Sequence, residues 1–203
     1  QVILHNLKVC FPDLTPGQLK QRLRAFCRHM GEVVIEVVLL GHYGRKLQDR
    51  FVVQNPEVIQ RYLDNGKSVL AWSHHMMNVD YTNFLGSVFP LHSVYKKMSN
   101  PYFERWFLNT RSKTGAHLVG SLDYMRFLSS TNMQQEGGAA VYGIAADQSP
   151  GLSRKRTNAI FTDFFNHEIA FAAGPEVIAR RYKMTMVYLR VRRVKRGFYT
   201  AEL

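Results

Sequence analysis

At 203 residues, 46% hydrophobic and 12% aromatic, the chain is long and apolar enough to build a real core, which excludes an intrinsically disordered protein. A formal charge of +12 at pH 7 draws polyanions (nucleic acid, an anionic membrane face or phosphorylated substrates) without choosing among them. No run approaches the roughly 20 apolar residues needed to span a bilayer. Cys10 and Cys27 have neither metal-ligand nor redox spacing, so packed free thiols in a reducing compartment are expected.

The chain opens on Gln1 with no initiator Met, and a native N-terminal segment is expected to precede it. Thr15-Pro16-Gly17-Gln18 is a helix start: Thr15 as N-cap, Pro16 at the first position, Gln18 closing a capping box. Leu19, Leu23, Phe26, Met30, Val33, Val37 and Leu40 recur at three- and four-residue spacing, which predicts a helix to about Leu40, ended by Gly41 and Gly44. Phe51-Val52-Val53 reads as a strand, Pro56 to Asp64 as a helix, and Ser68 to Trp72 as a buried strand. Asp80–Val88 reads as helix, Leu91–Tyr95 as strand, Pro101–Arg111 as helix, His117–Val119 as strand and Ser121–Gln134 as helix. Val141–Ala145 is a second buried strand, Pro175–Tyr182 a helix, Met184–Arg192 extended and Gly197–Thr200 a last strand. Short apolar strands alternating with helices predict one α/β domain with a mostly parallel central sheet flanked by helices.

In such sheets ligands sit beyond the carboxyl ends of the strands. Two strands end in polar clusters, Ser73-His74-His75 and Asp147-Gln148, which a parallel sheet would place on the same rim. Four residues separate His75 from Asp80. On one continuous helix such a pair would lie about 140° apart, so the two can meet only if His75 sits in a turn and Asp80 on the following helix. A neutral imidazole beside a carboxylate can take a proton from a hydroxyl nucleophile. A purely structural histidine is the competing reading, and His74 would point away from such a site.

His75, four residues, then Asp80 resembles the His-(x4)-Asp/Glu signature of the glycerolipid and lysophospholipid acyltransferases. Further segments are similar to one branch, the bacterial lipid A biosynthesis (lauroyl/myristoyl) acyltransferase family. These are "NLKVCFPDLTPGQL", the run into Arg111-Ser112-Lys113-Thr114-Gly115, "GIAADQSPG" with Asp147-Gln148-Ser149-Pro150-Gly151, and "AGPEVIARRYKMTMVYLRVRRVKRGFY". The resemblance covers nearly the whole chain in order. It departs where the family usually carries Gly-Asn-Trp-Glu: this chain has Met77-Asn78-Val79-Asp80, keeping only Asn78 and shortening the carboxylate by one methylene.

The resemblance implies a glycerolipid-acyltransferase-like fold over residues 1–203, a single acyltransferase domain without its membrane-anchoring N-terminal segment. It implies that His75, oriented by Asp80, activates a hydroxyl or amine of a lipid acceptor such as a lipid A precursor or lysolipid. That nucleophile attacks the thioester of acyl carrier protein or coenzyme A directly, at the cytoplasmic face of a bacterial inner membrane. No metal, cofactor or nucleic-acid partner is expected, and no Ser or Cys sits in a nucleophile elbow. Asn78, Arg111, Asp147, Gln148 and Arg154 are placed on the substrate side. Arg111 serves either a phosphate or its own helix terminus, Asp147 and Gln148 either floor a pocket or close a turn, and Arg154-Lys155-Arg156 holds phosphate or is a solvated loop. The eight basic residues between Arg180 and Arg196, with no acidic one, are either a charged outer strand face or a surface against anionic headgroups or an acidic carrier. Phe161, Phe164, Phe165 and Phe171 are expected in the core rather than in an acyl groove. A lipid-binding relative without catalysis and a basic nucleic-acid-binding module are the alternatives.

Overall fold

The computed structural model describes residues 1–130, 138–148 and 159–203. After a first helix, α1 (Val2–Cys10), comes α2 (Pro16–Tyr43), started by the expected capping box: Gln18 N–H donates to Thr15 Oγ1 at 3.3 Å and Thr15 N–H to Gln18 Oε1 at 2.9 Å. A 3-10 turn (Gly44–Arg50), β1 (Phe51–Val53) and α3 (Glu57–Asp64) lead to β2 (Val69–Ser73). A second 3-10 helix (Val79–Ser87) precedes β3 (Leu91–Tyr95), α4 (Pro101–Ser112), β4 (His117–Gly120), α5 (Tyr124–Ser130) and β5 (Val141–Ala145). Residues 131–134 of the helix expected at Ser121–Gln134 lie outside the described residues. Then follow β6 (Ala159–Phe164), β7 (His167–Ala172), α6 (Gly174–Arg181), β8 (Thr185–Tyr188), β9 (Arg190–Lys195) and β10 (Phe198–Glu202).

The central sheet is five-stranded and parallel throughout, in the order β4-β3-β5-β2-β8, as the strand–helix alternation predicts. Side chains alternate across it. Val69, Ala71 and Val141 pack with Leu40, Ile59, Tyr81 and Phe84 on one face, while Leu70 and Tyr142 pack with Tyr124, Leu128 and Ile178 on the other. Both faces are thus covered, and the strands read as continuous apolar runs for that reason.

Two expectations change. The extended run 184–192 is two strands, broken at Leu189, whose N–H donates to Trp72 O at 2.8 Å; β8 joins the five-stranded sheet and β9 a separate one, ordered β1-β10-β9. The phenylalanine cluster is not core. β6 and β7 form an antiparallel hairpin whose two turn residues, Phe165 and Asn166, both have positive φ (53° and 59°), the requirement of the tight turn that suits strand twist. Phe161, Phe164 and Phe165 stand exposed on it. On α2, Phe26 and Met30 of the expected stripe are exposed, and so are Val34, Ile35 and Val38 beside it. Both cysteines are free, Cys10 half-buried and Cys27 exposed.

Candidate functional site

β2 and β5 are neighbours in register, Ser73 opposite Ala145, so the two polar clusters do share one rim. They also touch. Asp147 accepts the His75 backbone N–H at 2.8 Å through Oδ2 and lies 2.5 Å from His75 Nδ1 through Oδ1. A carboxylate only accepts, so Nδ1 carries a proton, and in the neutral ring the lone pair is on Nε2. Burial alone would raise the Asp147 pKa; the His75 ring and amide N–H outweigh it and hold the carboxyl below its ordinary value of 3.8. His74 turns elsewhere, its Nδ1 2.9 Å from Tyr188 OH.

Among the described residues, no hydrogen bond joins His75 to Asp80. The expected direct contact is therefore not made in this structure, and the turn between them explains it. Met77 has φ 58°, in the left-handed region that favours glycine, the residue that the resemblance sets at this position. Packing of the Met77 side chain against the core offsets the strain. Asn78 then caps the second 3-10 helix, its Oδ1 accepting the Asp80 N–H at 3.1 Å, and the Asp80 side chain is directed at α4. Its Oδ1 accepts from Arg111 Nε at 2.7 Å, and the Arg111 guanidinium lies 5.1 Å from the Phe107 ring centroid. His75 and Asp80 nevertheless line the same cavity of about 240 Å3, together with Arg111 and Lys96.

Asn78 belongs to the support rather than to the cavity lining. It is buried, and its Nδ2 donates to Glu36 Oε2 at 3.2 Å. Glu36, itself buried on α2, also accepts from Tyr199 OH, 2.9 and 3.0 Å from its two oxygens. A chain of contacts therefore runs from β10 through α2 to the capped turn and Arg111. Gln148 is exposed beside Asp147 and is not part of the cavity lining. Arg154, with Lys155 and Arg156, lies outside the described residues.

The end of α4, which carries Arg111, leads into a close glycine contact. A Cβ on Gly115, whose φ is 94°, would come 2.5 Å from Gly86 O, so the segment after α4 lies backbone to backbone against the second 3-10 helix. Opposite, buried Glu104 accepts Met98 N–H at 2.8 Å and Tyr95 OH at 2.9 Å, which fixes the loop carrying Lys96.

The sequence model of the bacterial lipid A biosynthesis acyltransferase family matches residues 1–203. The chain belongs to that family. It is accordingly a member of an acyltransferase family concerned with lipid A biosynthesis. No individual curated protein matches it. Among the described residues, no helix is long and apolar enough to cross a membrane.

Within this family member, sequence reasoning passed over Glu36, Tyr199 and Asn83, and named Ser73 only as part of a polar cluster. Glu36 did carry a signal, being a carboxylate three residues after Val33 and four before Leu40, on the stripe that should be apolar. Asn83 is an ordinary polar residue in sequence and shows itself only in three dimensions.

Proposed function

We propose that the protein moves a fatty acyl chain from a thioester, carried by acyl carrier protein or coenzyme A, to a hydroxyl or amine of a membrane lipid such as a lipid A precursor or lysolipid, with His75 as general base. The observation that carries this reading is the His75–Asp147 contact: Nδ1–H is tied to a carboxylate, which puts the lone pair of the neutral ring on Nε2, in an accessible ring that lines the cavity. The acceptor O–H gives its proton to Nε2 as its oxygen attacks the thioester carbonyl. Collapse of the tetrahedral intermediate breaks the C–S bond, and the imidazolium returns the proton to the departing thiolate. Asp147 holds the ring and stabilises the imidazolium.

Asp80 keeps Arg111 extended into the cavity, where Arg111 and Lys96 offer cations to a phosphate of the acceptor or carrier. Uncovered apolar side chains on α2 and on the β6–β7 hairpin, in a chain of charge +12, support peripheral binding to the anionic cytoplasmic face of an inner membrane. A second assignment, Asp80 as the orienting carboxylate, is favoured by its sharing the cavity with His75.

Thiol release from lauroyl thioesters in the presence of lipid A precursor separates the two. Asp147→Asn should lower kcat by at least about 100-fold, by loss of ring orientation. Asp80→Asn should chiefly raise the acceptor KM. The reverse pattern would move the orienting role to Asp80, and no acceptor-dependent release from the unmodified protein would refute acyl transfer.

A further inference from the structure

Three parallel strands bring small side chains to the cavity. Ala71 and Ser73 on β2, Gly143 on β5 and Ser93 on β3 face it, with Gly143 in register between Ala71 and Ser93. A Cβ on Gly143 would stand 3.4 Å from Leu91 Cδ1 and 3.8 Å from Ser93 Oγ, so a larger residue there would raise the floor. Into this hollow the chain brings two polar side chains, each with an oxygen that no described residue satisfies. Ser73 and Asn83 are each 5% exposed, and neither Ser73 Oγ nor Asn83 Oδ1 has a hydrogen-bond partner among the described residues.

Burying a polar atom without a partner costs stability, so such atoms in a substrate cavity are informative. The contrast along the same 3-10 helix is direct. Thr82 and Ser87 each satisfy their hydroxyls locally, donating to Val79 O and Phe84 O at 2.7 Å. Asn83, between them, does not.

We infer that Ser73 and Asn83 form a neutral hydrogen-bonding subsite for an O–H or N–H group of the substrate, an inference that rests on the acyl transfer proposed above. Asn83 Oδ1 only accepts, so its ligand group must donate; the Ser73 hydroxyl can do either. Neither is charged, and a phosphate oxygen would meet Asn83 Oδ1 lone pair to lone pair. The fitting chemistry is a hydroxyl of the acceptor's sugar or glycerol headgroup, or an amide of the donor's pantetheine arm.

The test uses Ser73→Ala and Asn83→Ala with two probes, a micellar lipid A precursor and S-lauroyl-pantetheine, reading KM for each by thiol release and precursor binding by calorimetry. A headgroup subsite raises KM and Kd for the precursor about tenfold, with KM for the thioester unchanged. A rise confined to the thioester assigns the same subsite to the donor amide. Thermal unfolding separates binding from structure: removing an unsatisfied hydroxyl leaves the Tm of Ser73→Ala at or above that of the unmodified protein, whereas a structural role lowers it. Unaltered KM and Kd in both variants, or lost binding tracking a lowered Tm, overturns the subsite while acyl transfer stands. If the unmodified protein binds the precursor through these residues yet transfers nothing, the subsite stands and acyl transfer fails. If it neither binds nor transfers, both fall.

Discussion

Glu36→Gln removes one acceptor from a buried site that holds two donors. Glu36 is 4% exposed, with Tyr199 OH 2.9 and 3.0 Å from its two oxygens and Asn78 Nδ2 3.2 Å from one. Asn78 cannot turn its amide to compensate, because its Oδ1 already accepts the Asp80 N–H at 3.1 Å. A glutamine oxygen standing where Oε2 stands still accepts both donors, and the glutamine N–H then donates to the Tyr199 oxygen. No donor is orphaned; the loss is that of charge assistance on the two bonds, about 0.5–1 kcal/mol each. The expected loss is about 1–2 kcal/mol, or roughly 2–8 °C in Tm for a chain of this size. Asn78→Asp alone is also destabilising, since it sets a second carboxylate against the first. The double variant repairs both faults: the glutamine amide donates to the new carboxylate, which still caps the Asp80 N–H. Urea unfolding of the four proteins should give a coupling of about 2 kcal/mol in the double-mutant cycle. Additivity within about 0.5 kcal/mol would refute the hydrogen-bond chain.

Burial, and then neighbouring His117 with its Nδ1 3.0 Å away, lowers the His92 pKa from 6.5; Tyr142 stacks on the ring, Phe127 covers it, and all lie on the face opposite the cavity. The unfolded chain therefore protonates first, so this contribution to stability is complete above pH 6.5 and declines as pH falls below it. His92→Gln should flatten the decline in Tm between about pH 7.5 and 5.5, and equal slopes in both proteins would contradict the placement. Gly115→Ala drives a methyl to 2.5 Å from Gly86 O at φ 94° and should cost about 3 kcal/mol or more in urea unfolding; an unchanged midpoint would refute the close packing. Arg111→Met leaves the buried Asp80 carboxylate without its cation, with an expected loss of about 2–4 kcal/mol and of most acyl transfer; a variant as stable as the parent would show the pair to be idle.

The elements that frame the site were legible because their signals are local. The Thr15 capping box, the Leu91–Tyr95 and Val141–Ala145 strands and the proline-started α4 lie where patterning places them. Two strands ending in polar clusters were enough to predict a shared rim. The hydrogen bond across that rim was not legible, because His75 has a carboxylate five positions on along the chain and another just beyond the adjacent strand, and sequence distance favours the first. The choice is made by the Met77 turn and by Arg111, which takes Asp80 first. The β6–β7 hairpin was missed because aromatic residues read as core, although Phe165-Asn166 form its turn. The break at Leu189 escaped because both halves of the 184–192 run are good strand sequence, and only Trp72 O marks where one sheet gives way to the other.

The proposed acyl transfer turns on one lone pair, His75 Nε2, as the base that removes the acceptor's proton. Single-turnover acyl transfer to lipid A precursor by His75→Ala, with folding checked by circular dichroism, tests it most directly. The predicted result is a rate lower by about 1,000-fold or more in a folded protein, with His74→Ala close to normal. A folded His75→Ala protein that still transfers acyl chains at an undiminished rate would contradict it.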